Sequence, residues 1–184
     1  YYTDFARVEY RAKGGNETYE PSFAWFGYRY AFVCGVQPEQ ATADLLSYPV
    51  LSSDLRQTGR FSCSDRIVNR IFDLIVNSDR SNFYYFPTDC PHREKNGWTG
   101  DASMSAPQMT LLFNTTESYL EWLRNIVAAQ RDDGAIPGIV PTGGWGFAWG
   151  NGPAWDSVLV NLPYTLWRLR GDLRAIEIAG GTIL

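Results

Sequence analysis

Apolar and polar positions divide the chain into two parts with different periods. Residues 23–34 are dense in aromatic and β-branched side chains: Phe23, Trp25, Phe26, Tyr28, Tyr30, Phe32 and Val33. Tyr28, Tyr30 and Phe32 alternate with Arg29 and Ala31, the period of two expected of a half-buried strand. Residues 8–12 and 43–51 predict shorter strands, and Gly14, Gly15 and Asn16 a turn. The first 60 residues thus predict the end of an antiparallel β-sandwich whose other strands lie upstream. From residue 64 the period changes to that of a helix. Ile67, Ile71, Leu74 and Ile75 fall on one helical face, with Ser64 as the expected N-cap. A shorter helix is expected over residues 103–113. A long one follows Thr115 or Thr116, with Leu120, Leu123, Ile126 and Val127 on one side and Glu117 at its positive end. The last predicted helix covers residues 156–170. Val158, Leu162, Leu166 and Leu169 align on it, Pro163 is expected to kink or divide it, and Gly171 is placed to end it.

Composition narrows the function classes. Sixteen Lys and Arg against twenty Asp and Glu give a net charge of −4, without a basic run or basic helix face, so nucleic acid is not an expected partner. No apolar stretch approaches the roughly 18 residues of a membrane span. Three cysteines, Cys34, Cys63 and Cys90, have no CxxC spacing, and His92 is the single histidine. Neither a disulfide framework nor a zinc site is expected. Free thiols lean toward a reducing compartment, while the location stays open between cytoplasm and periplasm or exterior. Both ends read as cut, Tyr1 without a leader pattern and residues 178–184 as an apolar tail without a helix stop. Aromatic content is the outlier, with seven Trp, eleven Tyr and ten Phe. It fits either a large core or surfaces that stack on sugar rings.

The chemistry gathers in two long loops, residues 87–101 and 131–153. The first holds Asp89, Cys90, His92, Arg93, Glu94, Lys95, Trp98 and Asp101 between Pro and Gly residues that shape the backbone. A carboxyl here would donate a proton if burial raised its pKa, and others would accept hydrogen bonds from neutral hydroxyls. A solvated loop with internal ion pairs explains the same residues equally well. The second loop places Trp145, Trp149 and Trp155 among many glycines. Gly-rich backbone is a poor frame for a core, so aromatic platforms at a ligand site are the better reading. Trp155, at a helix start, is as readily an inward-packing residue. Asp132-Asp133-Gly134 reads as a tight turn, since it lacks the spaced acidic ligands of a calcium loop.

The run Asp89-Cys90-Pro91-His92-Arg93-Glu94-Lys95-Asn96-Gly97-Trp98-Thr99-Gly100-Asp101 resembles the signature of the inverting α-L-rhamnosidases, glycoside hydrolase family 78. The likeness extends from about Pro21 to Asp172, including residues 26–30, 55–64, 129–137 and 154–163. It implies a mainly α fold with an N-terminal β part. Residues 1–60 would end a β-sandwich domain, and residues 61–184 would form the first helices of an (α/α)6 barrel. It implies Glu94 as the general acid, although many members carry one more residue between the Arg and the Gly-Trp pair. It places Asp89, Arg93, Trp98 and Asp101 on the sugar, and Trp145, Trp149 and Trp155 as further aromatic walls. The general base would lie on a later helix beyond Leu184, so the fragment alone is expected to be inactive. No metal or cofactor is implied. The expected partner is a rhamnose-containing carbohydrate, and the helix faces of an open part-barrel leave self-association possible. A related barrel glycosidase with another sugar, or a non-catalytic carbohydrate-binding protein, would fit the same loops.

Overall fold

The computed structural model describes residues 7–144 and 146–183. Trp145 lies outside the described residues. The elements run α1 (Arg66–Ser81), β1 (Phe83–Tyr84), β2 (Phe86–Pro87), α2 (Thr99–Leu112), α3 (Thr116–Ala128), α4 (Pro153–Asp156), α5 (Val158–Arg170) and α6 (Arg174–Ile183).

The core is helical. α5 packs against α2 and α6, and α6 against α3. Val158, Leu162 and Leu166 form the buried stripe of α5 at helical spacing. Tyr119, Leu120, Trp122, Leu123 and Ile126 do the same on α3. α2 offers the small residues Ala102, Ser103 and Ala106, which leave room for a close neighbour. Thr110 and Thr115, both buried, share a hydrogen bond at 3.1 Å between their hydroxyls. That pairing uses the Thr115 side chain, so α3 has Thr115 at its N-cap position without a side-chain cap. Arg170, in the last turn of α5, donates to the carbonyls of Thr110 and Phe113. It thereby supplies a cation and donors where the carbonyls of α2 run out of helical partners. Segment 56–59 closes the same end, with Thr58 and Gly59 amides on the Leu112 carbonyl at 2.8 and 2.9 Å.

Several expectations need correction. α1 is capped by Asp65 instead of Ser64: its carboxylate accepts from the amides of Ile67 at 2.7 Å and Val68 at 3.3 Å. Its inward face is Phe72, Ile75, Val76 and Asp79, while Ile67, Ile71 and Leu74 are exposed. Two apolar stripes compete on this helix, and the one that meets α2 and the hairpin is buried. Pro163 neither ends nor divides α5, which runs unbroken from Val158 to Arg170. A helix interior loses one backbone bond at a proline, and the burial of Leu159, Leu162, Thr165 and Leu166 around it holds the helix together. Gly171 ends α5 in the left-handed conformation, φ 67°, as expected. The tail forms α6, whose Ala175 and Ala179 are buried.

The expected strands over residues 8–12, 23–34 and 43–51 are not formed. Among the described residues the only sheet is the hairpin β1–β2, and residues 7–60 contain one short 3-10 turn, Pro38–Gln40. Phe23 and Phe32 are 99% and 97% exposed, the opposite of a half-buried strand. A strand needs a neighbour for its amides and carbonyls, and an isolated one is not stable in water. Alternation alone predicts the face a strand would bury, not the presence of a partner.

Leu123→Ala should lower the unfolding free energy by about 2–5 kcal/mol, because a fully buried leucine leaves a cavity. Ile71→Ala should change it by less than about 1 kcal/mol, since that side chain is largely exposed. Chemical denaturation followed by circular dichroism checks both. Equal losses would show that Ile71 packs as the sequence pattern implied.

Candidate active site

The site is built where two loops meet. α1 ends at Ser81, the hairpin turns at Tyr85, and the Thr88 amide returns to the Asn82 carbonyl at 2.7 Å. The chain then makes a ring between Asp89 and Asn96. The Asp89 amide donates to the Asn96 carbonyl at 3.0 Å, and the Asn96 amide to Asp89 Oδ1 at 2.9 Å. Lys95, next to the closing residue Asn96, takes a left-handed conformation, φ 56°. Glu94 stands exposed there, and the Trp98 indole N–H donates to its Oε2 at 3.2 Å.

The second loop pins the first. The Val140 amide donates to the Gly97 carbonyl at 2.9 Å, and the Thr99 amide to the Gly138 carbonyl at 2.9 Å. Trp98 and Ile139 thus face each other in an antiparallel bridge. The buried Trp122 of α3 donates its indole N–H to the Val140 carbonyl at 2.9 Å, tying the pair to the core. Approach is too close for side chains at the crossing. A Cβ on Gly97 would lie 2.1 Å from the Val140 carbonyl oxygen, and one on Gly138 2.1 Å from that of Gly150. The glycines of the second loop therefore serve backbone contact as well as the turns read from sequence.

Trp98 and Trp155 meet edge to face, centroids 6.4 Å apart, and Gly100 leaves space beneath the Trp155 ring. Asp89, Asp101 and Trp155 line one open cavity of about 740 Å³, together with Asp79, Asn82, Met104 and Ser157. Glu94 and Arg93 line a second, of about 1250 Å³, whose other wall is residues 23–32. One ligand atom each of Asp89, Cys90 and Glu94 lies within 4.8 Å of the others. The trio mixes a buried thiol with two carboxylates that already accept N–H bonds, and it includes no imidazole.

The predicted residues are distributed as follows. Asp89, Asp101 and Trp155 line the inner cavity, Trp155 half-buried at its wall, while Trp98 lines neither cavity and links Trp155 to Glu94. Arg93 faces the outer cavity with Glu94, apart from the Asp89–Asp101 side. Trp149 is 66% exposed and lines neither cavity; its backbone carbonyl, not its ring, borders Gly138. Asp101 sits in the first turn of α2. Loss of hydration raises its carboxyl above the usual range, its own backbone N–H opposes this, and the Asp89 and Glu94 charges add to the rise.

Sequence reasoning passed over Asp79. It is buried on α1, and its two oxygens accept from the Gln108 amide of α2 at 2.8 Å each. No cation offsets it in these bonds, so burial raises its pKa although Gln108 pulls the other way. Tyr119 Oη is buried beside it without a hydrogen-bond partner, and its ionisation is suppressed by burial and by the Asp79 charge. The available signal was an Asp at i+4 from Ile75 and i+3 from Val76, an acid on an apolar face.

The loops thus set carboxylates beside indole rings on a helical domain. Residues 56–179 match the bacterial alpha-L-rhamnosidase 6 hairpin glycosidase domain, and the chain belongs to that family. It is 33% identical over 173 residues to an alpha-L-rhamnosidase of Streptomyces avermitilis, covering 92% of this chain and 16% of that protein. An alpha-L-rhamnosidase of Formosa agariphila is 34% identical over 119 residues, 64% of this chain and 12% of that protein. The crystal structure of the Streptomyces avermitilis alpha-L-rhamnosidase complexed with L-rhamnose superposes with a TM-score of 0.68 at 29% identity. That match covers 72% of this chain and 13% of the other. The chain thus spans only 12% to 16% of the length of these two curated relatives.

Asp79→Asn should flatten part of the stability–pH profile. A carboxyl whose folded pKa is raised destabilises the fold only once it ionises. The penalty is absent below the ordinary carboxylate range, grows as pH rises through it, and is complete above the raised folded value. The variant should therefore gain stability relative to the native chain as pH rises from about 3.9. Denaturant midpoints across pH check this. A constant difference at all pH values would show that Asp79 ionises normally.

Proposed function

We propose that the chain is part of a glycoside hydrolase that removes terminal α-L-rhamnose by an inverting single displacement, with Glu94 as general acid. The observation that carries this is the Glu94 carboxylate held by the Trp98 indole beside Asp89, in a chain of the rhamnosidase family. Protonated Glu94 gives its proton to the glycosidic oxygen as the bond to the anomeric carbon breaks. Asp89 and Asp101 accept sugar hydroxyls, Arg93 binds from the outer side, and Trp98 and Trp155 cover the ring. Trp145 and Trp149 are kept as further aromatic walls.

An inverting pair of carboxyls stands about 6.5–9.5 Å apart, to admit the attacking water. Asp89 approaches Glu94 within 4.8 Å, and one of its oxygens already accepts the Asn96 amide. Asp89 is therefore assigned to hydroxyl binding, and the general base, as the family resemblance implies, to a later helix outside these 184 residues. In keeping with this, residues 61–184 are proposed as the opening helices of an (α/α)6 barrel, and residues 1–60, which form no sheet by themselves among the described residues, as the end of a β-sandwich and its linker in the full-length protein. The 184-residue chain alone should then be inactive.

In the full-length protein carrying these residues, Glu94→Gln should lower kcat on an alkyl α-L-rhamnoside by about 10²- to 10⁴-fold. Proton NMR of the first-formed sugar should show the β anomer. Release of the α anomer would overturn inversion and make Asp89 the candidate nucleophile. Undiminished turnover by Glu94→Gln would remove Glu94 as the acid, and sugar binding without turnover by the native protein would favour a binding role.

A further inference from the structure

Glu94 sits in the Asp89–Asn96 ring, two residues before its closing residue, and the ring is gripped from outside the helical body. Lys95 donates its Nζ to the Trp25 carbonyl at 2.7 Å. The same ammonium lies over the Trp25 ring at 5.1 Å and the Phe26 ring at 5.4 Å, both within cation–π range. Next in the chain, Gly27 packs on the loop backbone so closely that a Cβ would fall 2.6 Å from the Pro91 carbonyl oxygen. Trp25 is itself anchored, its ring 4.5 Å from that of Tyr84 in β1. The grip therefore runs from the hairpin, through Trp25, to the residue after Glu94.

We infer that residues 25–27 and Lys95 form a clamp that positions the general acid, with Lys95 as the positioning residue. The inference rests on the reading of Glu94 as the acid. Lys95 is left-handed at φ 56°, a conformation that a side chain other than Gly, Asn or Asp rarely adopts without support. The ammonium supplies that support through a bond that fixes the direction in which the preceding carboxyl projects. Trp98 holds Glu94 by its carboxylate, and the clamp holds it by its backbone. A segment from before the helical domain thereby becomes part of the active-site frame. Proton donation requires placement within hydrogen-bond reach of the leaving oxygen, so a loosened ring should impair that step more than sugar binding.

The test compares two substrates in the full-length protein. An activated aryl α-L-rhamnoside departs with little help from an acid, whereas an alkyl α-L-rhamnoside needs the proton. Lys95→Ala should lose about tenfold or more in kcat on the alkyl substrate beyond its loss on the aryl one, with KM changed by less than about threefold. Lys95→Arg, which keeps a cation and donors, should restore most of the difference. Lys95→Met keeps the stem against the rings and lacks the donor; it should show the same substrate-dependent loss with a melting temperature near the native one. Equal losses on both substrates, or no loss, would overturn the clamp. Glu94→Gln in the same assay stands as the separate arm. If it fails to discriminate between the two leaving groups, the acid assignment itself falls. If it discriminates and the Lys95 variants do not, only the clamp falls.

Discussion

Two backbone hydrogen bonds hold the site together: Val140 to Gly97 and Thr99 to Gly138, each 2.9 Å. They join loops that are forty residues apart in sequence, and everything aimed at a ligand hangs from them. Trp98 lies between the bonded residues, so its ring is fixed against Gly150 and Trp155 and its N–H toward Glu94. Thr99 opens α2, so the same pairing sets where the helix starts and where Asp101 projects. The Trp122 indole carries the restraint into the core of α3. A net worth of about 1 kcal/mol per hydrogen bond is modest. The constraint gains force because the bonds are buried, where a lost partner costs more than the bond contributes.

The charge pattern follows from this frame. Asp89, Glu94 and Asp101 are brought near one another by loop geometry, and neighbouring negative charge helps raise Asp101. Asp89 offsets part of its own confinement by accepting the Asn96 amide. Asp79 lines the same cavity as Asp89 and Asp101, with only a neutral amide in hydrogen bond to it. Such placement is unfavourable for stability. Exposed ion pairs elsewhere, such as Arg124 with Glu121, contribute little, at most about 1 kcal/mol each.

Periodicity located α3 and α5 to within a few residues because each buries one clear stripe. It misread α1, where Ile67, Ile71 and Leu74 offered a second stripe and only packing against neighbours chose between them. It overstated residues 23–34, since alternation cannot supply a partner strand. The Asp-Cys-Pro loop stood out through residue type and spacing, and the structure brings Asp89 close to Glu94 and Trp98 onto Glu94. The separation of Arg93, Glu94 and Trp149 from the inner cavity was not legible. It depends on backbone direction in long loops, set by contacts such as Gly138 with Gly150 that leave no periodic trace. Asp79 and Lys95 were passed over for the same reason. Their significance comes from Gln108 and Trp25, residues remote in sequence.

The pinned crossing is most directly tested by amide hydrogen exchange at Thr99 and Val140. If the two loops are held as described, both amides should exchange as slowly as those of Leu123 and Leu166 in the helical core, despite lying in or beside loops. Exchange as fast as at the exposed turn residue Gly134 would contradict the crossing, and with it the placement of Trp98 and Glu94.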